Sequence, residues 1–511
     1  MRALLSVWDK TGLEPFAKGL VSLGYELVSS GGTSKFLAEH EIPHLEVSEV
    51  TGAPEMLGGR VKTLHPKIHG GILADAAKAE HLADLEANGI ARIEIVACNL
   101  YPFRDQPGIE MIDIGGPTMV RAAAKNHAHV AVLVDPAQYG PVLDELRREG
   151  ELSDDTRRRL ARDAFAHTAA YDAAIVTWID ETATPAADDD GLPATIHLAL
   201  ERSEEKLRYG ENPHQQGARY RTIGETSWWD SVEQFSGVAL SYLNLYDTEA
   251  AWQLVHDLAP SPGTAACAII KHANPCGAAI APDGDLATAY ARALSADEKS
   301  AFGGIVAVNG PVTDAVADAI VAGPQADVII APSYDEGTVE KLVGRRKATR
   351  LLQAPVPAPE RFHLRQIGGG FLVQEPHHFA SSRDEWRVVT KRQPTDGEWL
   401  DAELAWRLGG YVKSNSIVLV SGGQAVGIGA GQQSRVDAAE IAAKKAAGRA
   451  EGGACASDAF YPFRDGLDAA ASAGVAVVIQ PGGSMRDDEI IAAADELGLA
   501  MVFTGERHFF H

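Results

Sequence analysis

Short apolar runs alternate with helix-period segments along the first part of the chain. Arg2-Ala3-Leu4-Leu5-Ser6-Val7 reads as a strand, Gly12 to Leu23 has helical spacing, Tyr25 to Val28 is a second strand, and Gly31-Gly32-Thr33 opens another helix. Ile93 to Cys98 and His129 to Val134 read as further strands. Such alternation implies right-handed βαβ units and a mostly parallel sheet. The rhythm breaks at residues 181–194, ETATPAADDDGLPA, where Pro, Ala, Gly and an Asp run read as a linker, so a domain boundary is expected near 185–200. Beyond it the chain is again α/β, with an internal echo. Lys271, Ser300-Ala301-Phe302-Gly303 and Val328-Ile329-Ile330-Ala331-Pro332 have counterparts in Lys413-Ser414-Asn415, Ser457-Asp458-Ala459-Phe460 and Val477-Val478-Ile479-Gln480-Pro481. The spacings differ between the halves, so two similar subdomains compete with coincidence.

Composition narrows the partners. At 511 residues and 45% hydrophobic, the chain can bury several cores. A formal charge of −24 argues against broad nucleic-acid or anionic-membrane binding, so an anionic ligand must be held locally by a few cations. No uncharged apolar stretch is long enough to span a bilayer, and Asp9 interrupts the amino terminus before a signal-peptide core forms, so a cytoplasmic address is expected. Four scattered cysteines, Cys98, Cys267, Cys276 and Cys455, read as reduced and buried.

Two stretches concentrate chemistry. Ser30-Gly31-Gly32-Thr33 lies between a strand and a helix, where backbone N–H groups hold phosphates, although a Gly-Gly turn with a Thr cap is also ordinary structure. Residues 58–71, GGRVKTLHPKIHGG, pack three cations and two histidines between glycine pairs, an unusual concentration in an acidic chain. Further on, KHANPCG at 271–277 follows the apolar run Ala265 to Ile270. Zinc ligation of the deaminase kind fails there, because Asn274 stands where Glu is needed and Ala279 where a second Cys is needed. Cys276 has no thiolate-stabilising neighbour beyond His272, and a Pro-Cys-Gly turn accounts for residues 275–277. Lys271-His272 is placed at the carboxyl end of a strand in a parallel α/β pattern, facing a ligand crevice.

SVWDKTG, SSGGT, GGRVKTLHP, NLYPF, IDIGGPT and RAAAKNH, in that order, resemble the cyclohydrolase half of the bifunctional phosphoribosylaminoimidazolecarboxamide (AICAR) formyltransferase/IMP cyclohydrolase family. KHANPCG, SAFGGIVA, KSNS, GAGQQSR and SDAFYPFRD resemble its formyltransferase half, so the resemblance covers essentially the whole chain. It implies a Rossmann-like, methylglyoxal-synthase-like domain over 1–190 with a parallel sheet, then a larger α/β formyltransferase region over 198–511 built of two similar cytidine-deaminase-like subdomains. The implied activity is transfer of a formyl group from 10-formyltetrahydrofolate to AICAR, then dehydrative closure of the product, FAICAR, to IMP. The folate acts as cosubstrate, no metal or tightly bound cofactor is implied, and a homodimer is. Rival readings are a protein with one activity retained, and a nucleotide-sensing module of the kind methylglyoxal-synthase-like domains also form.

Residue by residue, the resemblance assigns ring closure to Lys62, Tyr101, Asp113 and Lys125. It assigns ligand contacts in the same domain to Lys10, Ser30, Gly31, Gly32, Thr33, Arg60, Thr63, Asn99, Leu100 and Ile114. Closure needs donors for an oxyanion and an acid to expel water. Trp8 departs from the family, where Ser commonly precedes the Asp of this loop. For formyl transfer it assigns His272 as base and Lys271 as oxyanion stabiliser or acid, since a weakly nucleophilic amine must lose a proton as it attacks. Arg208, Tyr209, Gly303, Asp327, Asn415, Arg435 and Arg507 are the implied ribotide contacts, while Phe460, Asp465, Gly482 and Gly483 lie on the folate side.

Overall fold

The computed structural model describes residues 1–54, 56–57, 61–182, 191–259 and 262–511. Most of the expected linker, 183–190, and the expected ligand residue Arg60 therefore lie outside the described residues. The chain divides into two compact units, Met1–Glu201 with Thr222–Gly224, and Arg202–Arg221 with Glu225–His511.

The first unit is built on a parallel sheet of β1 (Arg2–Leu5), β2 (Glu26–Ser29), β3 (Leu45–Glu46), β4 (Ile95–Ala97) and β5 (Ala131–Leu133), in the order β3-β2-β1-β4-β5. Strands buried on both faces explain the near-continuous apolar runs. Ala3, Leu5, Ile95 and Leu133 pack on one side against Leu13, Phe16, Leu20 and Val142. Leu4, Val28, Val96 and Val132 pack on the other against Ile68, Met119, Val120 and Ala164. The strand order reverses at β1/β4, which opens a crevice between the loops that follow these two strands.

β6 (Leu200–Arg202) and β7 (Tyr220–Thr222) form a separate two-stranded ribbon, and the remaining strands belong to the second unit. Its strands are β8 (Glu233–Gln234), β9 (Ala265–Lys271), β10 (Asn274–Ala281), β11 (Ile305–Val308), β12 (Val328–Ala331), β13 (Arg350–Gln353), the hairpin β14 (His363–Ile367) and β15 (Gly370–Gln374), β16 (Arg387–Val388), β17 (Ile417–Ser421), β18 (Gln424–Gly429), β19 (Ala454–Ser457), β20 (Val477–Gln480) and β21 (Ala500–Phe503). Apart from the β14–β15 hairpin they form one twelve-stranded sheet, β16-β21-β20-β19-β17-β18-β10-β9-β11-β12-β13-β8. Read outward from its centre, this order is the same twice: hairpin, three parallel strands, short antiparallel edge. The internal echo is thus a duplication of architecture. β12 and β20 correspond as expected. The pairings of Lys271 with Lys413 and of Ser300 with Ser457 do not hold, because Lys413 precedes its strand where Lys271 ends one, and Ser300 precedes β11 where Ser457 ends β19.

Helices Tyr242–Leu258 and Asp396–Gly409 cover one face of this sheet, with Trp252 and Trp406 fully buried against Ile270, Ala278, Val418 and Ala456. The opposite face is closed by helices Leu286–Ala296 and Arg435–Ala446, among others. These two helices come so close that a Cβ at Gly277 or Gly427 would run into the backbone carbonyl of Ala293 or Ala442.

Candidate functional site

In the first unit the crevice is assembled from four loops. Asn99, just past β4, accepts the backbone N–H groups of Trp8 and Asp9 at 2.6 and 2.9 Å and returns a hydrogen bond to Asp9 O at 3.0 Å, so it pins the loop after β1. Thr33 ties the same loop to the helix Gly31–Glu39: its hydroxyl donates to Val7 O at 2.9 Å and accepts from Val7 N–H at 3.0 Å. That hydroxyl therefore builds the pocket and is not the expected helix cap. Ser30 occupies the cap position with extended backbone. Gly31 has φ 59°, and a Cβ there would lie 3.0 Å from Lys62 Nζ, so the turn needs glycine both for its backbone and to admit the lysine. Lys10 Nζ, held by Trp8 O at 3.1 Å, is 3.9 Å from the corresponding point on Gly32.

Asp113, next to Ile114 at the start of the helix Gly115–Lys125, accepts from Gly116 N–H at 2.8 Å, while its own N–H donates to the Tyr171 hydroxyl at 2.8 Å. Burial pushes its carboxyl upward, and the Gly116 and Gly115 amides partly pull it back. Burial and then the Asp113 charge push the Tyr101 phenol upward, against an opposing pull from Lys62. Asp113 and Lys62 thus both lie near enough to the Tyr101 phenol to act on it, in opposite directions. A Cβ on Gly115 would lie 2.9 Å from Thr63 Oγ1, and one on Gly116 2.7 Å from Leu100 Cδ2, which joins Thr63 and Leu100 to the same wall. The exposed Trp8 ring meets Tyr101 edge-on at 5.3 Å. The backbone of Trp8 supplies the loop contact, and its side chain adds an aromatic wall where the family has Ser. Lys125 is not brought into this group: it ends the helix whose first residue is Gly115, roughly 15 Å away along the axis at 1.5 Å per residue.

In the second unit KHANPCG is a hairpin turn. β9 is antiparallel to both β10 and β11, and His272 and Ala273, with φ 56° and 52°, make the turn, so two expectations are corrected: the strand is not in a parallel setting, and residues 275–277 lie inside β10 and do not form a Pro-Cys-Gly turn. Two successive positive φ values describe a tight hairpin whose twist matches the strands. The turn is held by Asp247, whose carboxylate accepts from His272 N–H at 3.1 Å and Ala273 N–H at 2.8 Å. Asp247 is buried, and that burial raises its pKa. Lys271 Nζ donates to Phe302 O at 2.6 Å. A Cβ on Gly303 would be 4.0 Å from Lys271 Nζ and 3.9 Å from Asp327 Oδ1, so these three expected residues are neighbours. Cys276 is buried, its thiol donates to Ile269 O at 3.4 Å, and burial pushes it up to about 12, which removes it as a nucleophile.

Strand pairings Ile305–Ile270, Ile417–Gly429 and Ile417–Ser457 bring the end of β9, the starts of β10, β11 and β17, and the ends of β18 and β19 to one end of the sheet. Asn274 Oδ1 accepts from Lys413 N–H at 3.2 Å there. Beyond Lys413, a cavity of about 380 Å³ is lined by Ser414, Asn415, Gly431–Gln433, Phe509 and His511. Arg435, expected as an open fork for phosphate, is largely occupied: it donates to Asp458 and Ser457 at 2.7 Å and to Asn415 Oδ1 at 3.1 Å, with Asp458 fully buried. It acts as a fixed cation behind Asn415. Arg507 is exposed and lies over the Phe509 ring at 4.3 Å.

Phe460, partly exposed, and Gly482-Gly483 follow β19 and β20. The Asp465 carboxylate accepts from Gly466 N–H in the first turn of its own helix. Arg208 lies over the Tyr209 ring at 5.5 Å in the irregular segment before β7. Among the described residues, no cluster of three His, Cys, Asp or Glu is arranged to hold a metal ion, and no helix is long and apolar enough to cross a membrane.

Sequence reasoning missed Tyr171, Asp247 and Asp458. For Asp247 a signal existed: DTEAAWQL at 247–254 recurs as DAELAWRL at 401–408. Asp401 accepts from Gly422 and Gly423 N–H at 2.9 and 2.7 Å in the turn between β17 and β18, repeating the Asp247 arrangement.

Comparison with known proteins places these sites in context. The family model described as AICARFT/IMPCHase bienzyme matches residues 123–445, and that of the MGS-like domain matches residues 12–123. A solved structure titled "Crystal structure of ForH" is similar over 34% of this chain and 97% of its own, with 39% identity and a TM-score of 0.32.

Proposed function

Because the chain belongs to the AICARFT/IMPCHase bienzyme family, it is a bifunctional formyltransferase and cyclohydrolase of the last two steps of IMP biosynthesis, and we propose that ring closure occurs in the first compact unit and formyl transfer in the second. The observation that carries this division is that each unit gathers its own group of cationic and proton-handling side chains.

In the second unit the amine of AICAR attacks the formyl carbon of 10-formyltetrahydrofolate. A bond forms between that amine and the formyl carbon while the bond from formyl carbon to folate nitrogen breaks. His272, fixed at the tip of its turn by Asp247, takes the amine proton. Lys271 uses one N–H on Phe302 O, which leaves two donors for the oxyanion and the departing nitrogen. Asp327 and Asn415 orient the ribotide, Arg507 offers the exposed cation for its phosphate, and Phe460 offers a face for the pterin.

In the first unit the carboxamide nitrogen of FAICAR attacks its own formyl carbon, and the tetrahedral carbon loses water. Lys62 stabilises the oxyanion, which takes up the proton shed by the attacking nitrogen; Tyr101, kept protonated by the rise in its pKa, donates to the leaving hydroxyl and is reprotonated by the formamide N–H as the ring C=N bond forms; Asp113 fixes the base end. Lys10 and the amides after Ser30 hold the phosphate. The folate is a cosubstrate, the protein works in the cytoplasm, and a homodimer is its working form. The test is to supply full-length protein with AICAR and 10-formyltetrahydrofolate: tetrahydrofolate and IMP should form, whereas accumulation of FAICAR alone would restrict the first unit to a binding role.

A further inference from the structure

Behind the wall of the second-unit cavity lies a chain of imidazoles that neither reaction uses. His377 Nε2 is 2.8 Å from His508 Nδ1, and His508 Nε2 is 2.7 Å from Glu506 Oε1. The other Glu506 oxygen accepts from Ser381 N–H at 2.7 Å. A carboxylate only accepts, so His508 carries its hydrogen on Nε2 and, when neutral, presents a lone pair at Nδ1; His377 must then donate through Nε2. His377 Nδ1 is buried without a partner. Aromatic rings enclose the pair: Phe379 and Trp406 lie 4.7 and 4.9 Å from His508, and Tyr411 lies 5.4 Å from His377.

This arrangement suits neutral imidazoles. A first added proton lands either on the buried, unpartnered Nδ1 of His377 or on His508 Nδ1, where it makes His377 reverse its tautomer, and a second sets two N–H groups head to head. Charged neighbours are mixed. Glu506 and Asp458 favour a cation on His508, His378 opposes one on either ring, Arg407 lies over Phe379, and Asp257 accepts from Tyr411. Burial outweighs them, lowering His508 and taking His377 down to about 4.

The joint matters because of what it holds. From Glu506 to His511 the side chains alternate: His508 points inward, while Arg507, Phe509 and His511 are exposed, with Phe509 and His511 lining the cavity. His508 N–H also donates to Asp458 O at 3.1 Å, on the residue that holds Arg435. We propose that His377, His508 and Glu506 are positioning residues for formyl transfer, a neutral-histidine clamp that seats the carboxy-terminal segment so that Arg507 and Phe509 can bind the ribotide. This rests on assigning formyl transfer to the second unit. A histidine whose folded pKa is depressed contributes in full above its ordinary value of about 6.5 and is lost as pH falls from there toward the folded value. The clamp is therefore firm at pH 7–8 and loosens in acid.

The test uses full-length His377→Phe, which keeps the ring and removes the donor, and His377→Gln, which keeps an uncharged N–H donor. The KM for AICAR should rise about tenfold in the Phe variant with kcat within about threefold, while the Gln variant stays near wild type, the signature of lost ground-state binding. The ratio of wild-type to Gln-variant KM should climb between pH 7 and pH 5.5, since the ribotide phosphate ionises alike with both proteins. A flat ratio, or a folded Phe variant with wild-type KM, overturns the clamp; if the Phe variant unfolds, the pH-dependent ratio alone decides. Wild-type protein without any formyl transfer would instead overturn the assignment on which the clamp rests.

Discussion

Lys62 and Lys125 come from one set of motifs, yet the fold treats them differently. Lys62 reaches Gly31 and acts on Tyr101, whereas Lys125 sits at the opposite end of a helix from Asp113. Lys62→Ala should therefore lower the ring-closure rate by 10²-fold or more, on the scale of losing an oxyanion donor. Lys125→Ala should cost clearly less, and equal losses measured on supplied FAICAR would contradict this placement. Cys276 is simpler. Cys276→Ala should leave both activities within about twofold, because a thiol pushed up to about 12 and directed at Ile269 O has no chemical part to play. Single residues with a distinctive type, such as Lys62, Tyr101 and His272, were legible in the sequence. Arg435 was legible as a cation only, because its partner Asp458 is far away along the chain and reaches it through β-sheet pairing.

At the scale of elements, the hairpins show what periodicity can and cannot give. The four strands and two helices expected in the first unit fall where the apolar pattern puts them, since parallel strands buried on both sides leave continuous apolar runs, whereas the two-residue β3 is too short to leave one. The antiparallel setting of β9 was not legible, because a buried strand looks the same in a parallel and in an antiparallel sheet. The β9–β10 turn is held by a carboxylate on the buried face of the helix Tyr242–Leu258, which periodicity counts merely as an exception. Asp247→Asn and Asp401→Asn remove equivalent carboxylates, each costing about 1–3 kcal/mol of stability as buried amides lose a charged acceptor. Their activities should differ. Asp247→Asn should depress formyl transfer by about tenfold or more through misplacement of His272, while Asp401→Asn, whose turn carries only Gly422 and Gly423, should retain it. Similar activity losses in both variants would mean that Asp247 acts through stability alone.

For the whole molecule, duplication makes the second unit one twelve-stranded sheet with a single equipped end. The hairpin turn of the second half carries Ser421, Gly422 and Gly423 where the first carries Lys271, His272 and Ala273, so the two turns are alike in fold and unlike in chemistry. A net charge of −24 leaves each site to its own few cations, and ordered motifs reveal those cations better than composition does. The central claim is that the two compact units carry separate reactions. Its most direct test is to measure formyl transfer and FAICAR closure side by side in full-length His272→Ala and Lys62→Ala. The account predicts that His272→Ala loses formyl transfer and closes supplied FAICAR at the wild-type rate, with the reverse for Lys62→Ala. Loss of both activities in either folded variant would contradict it.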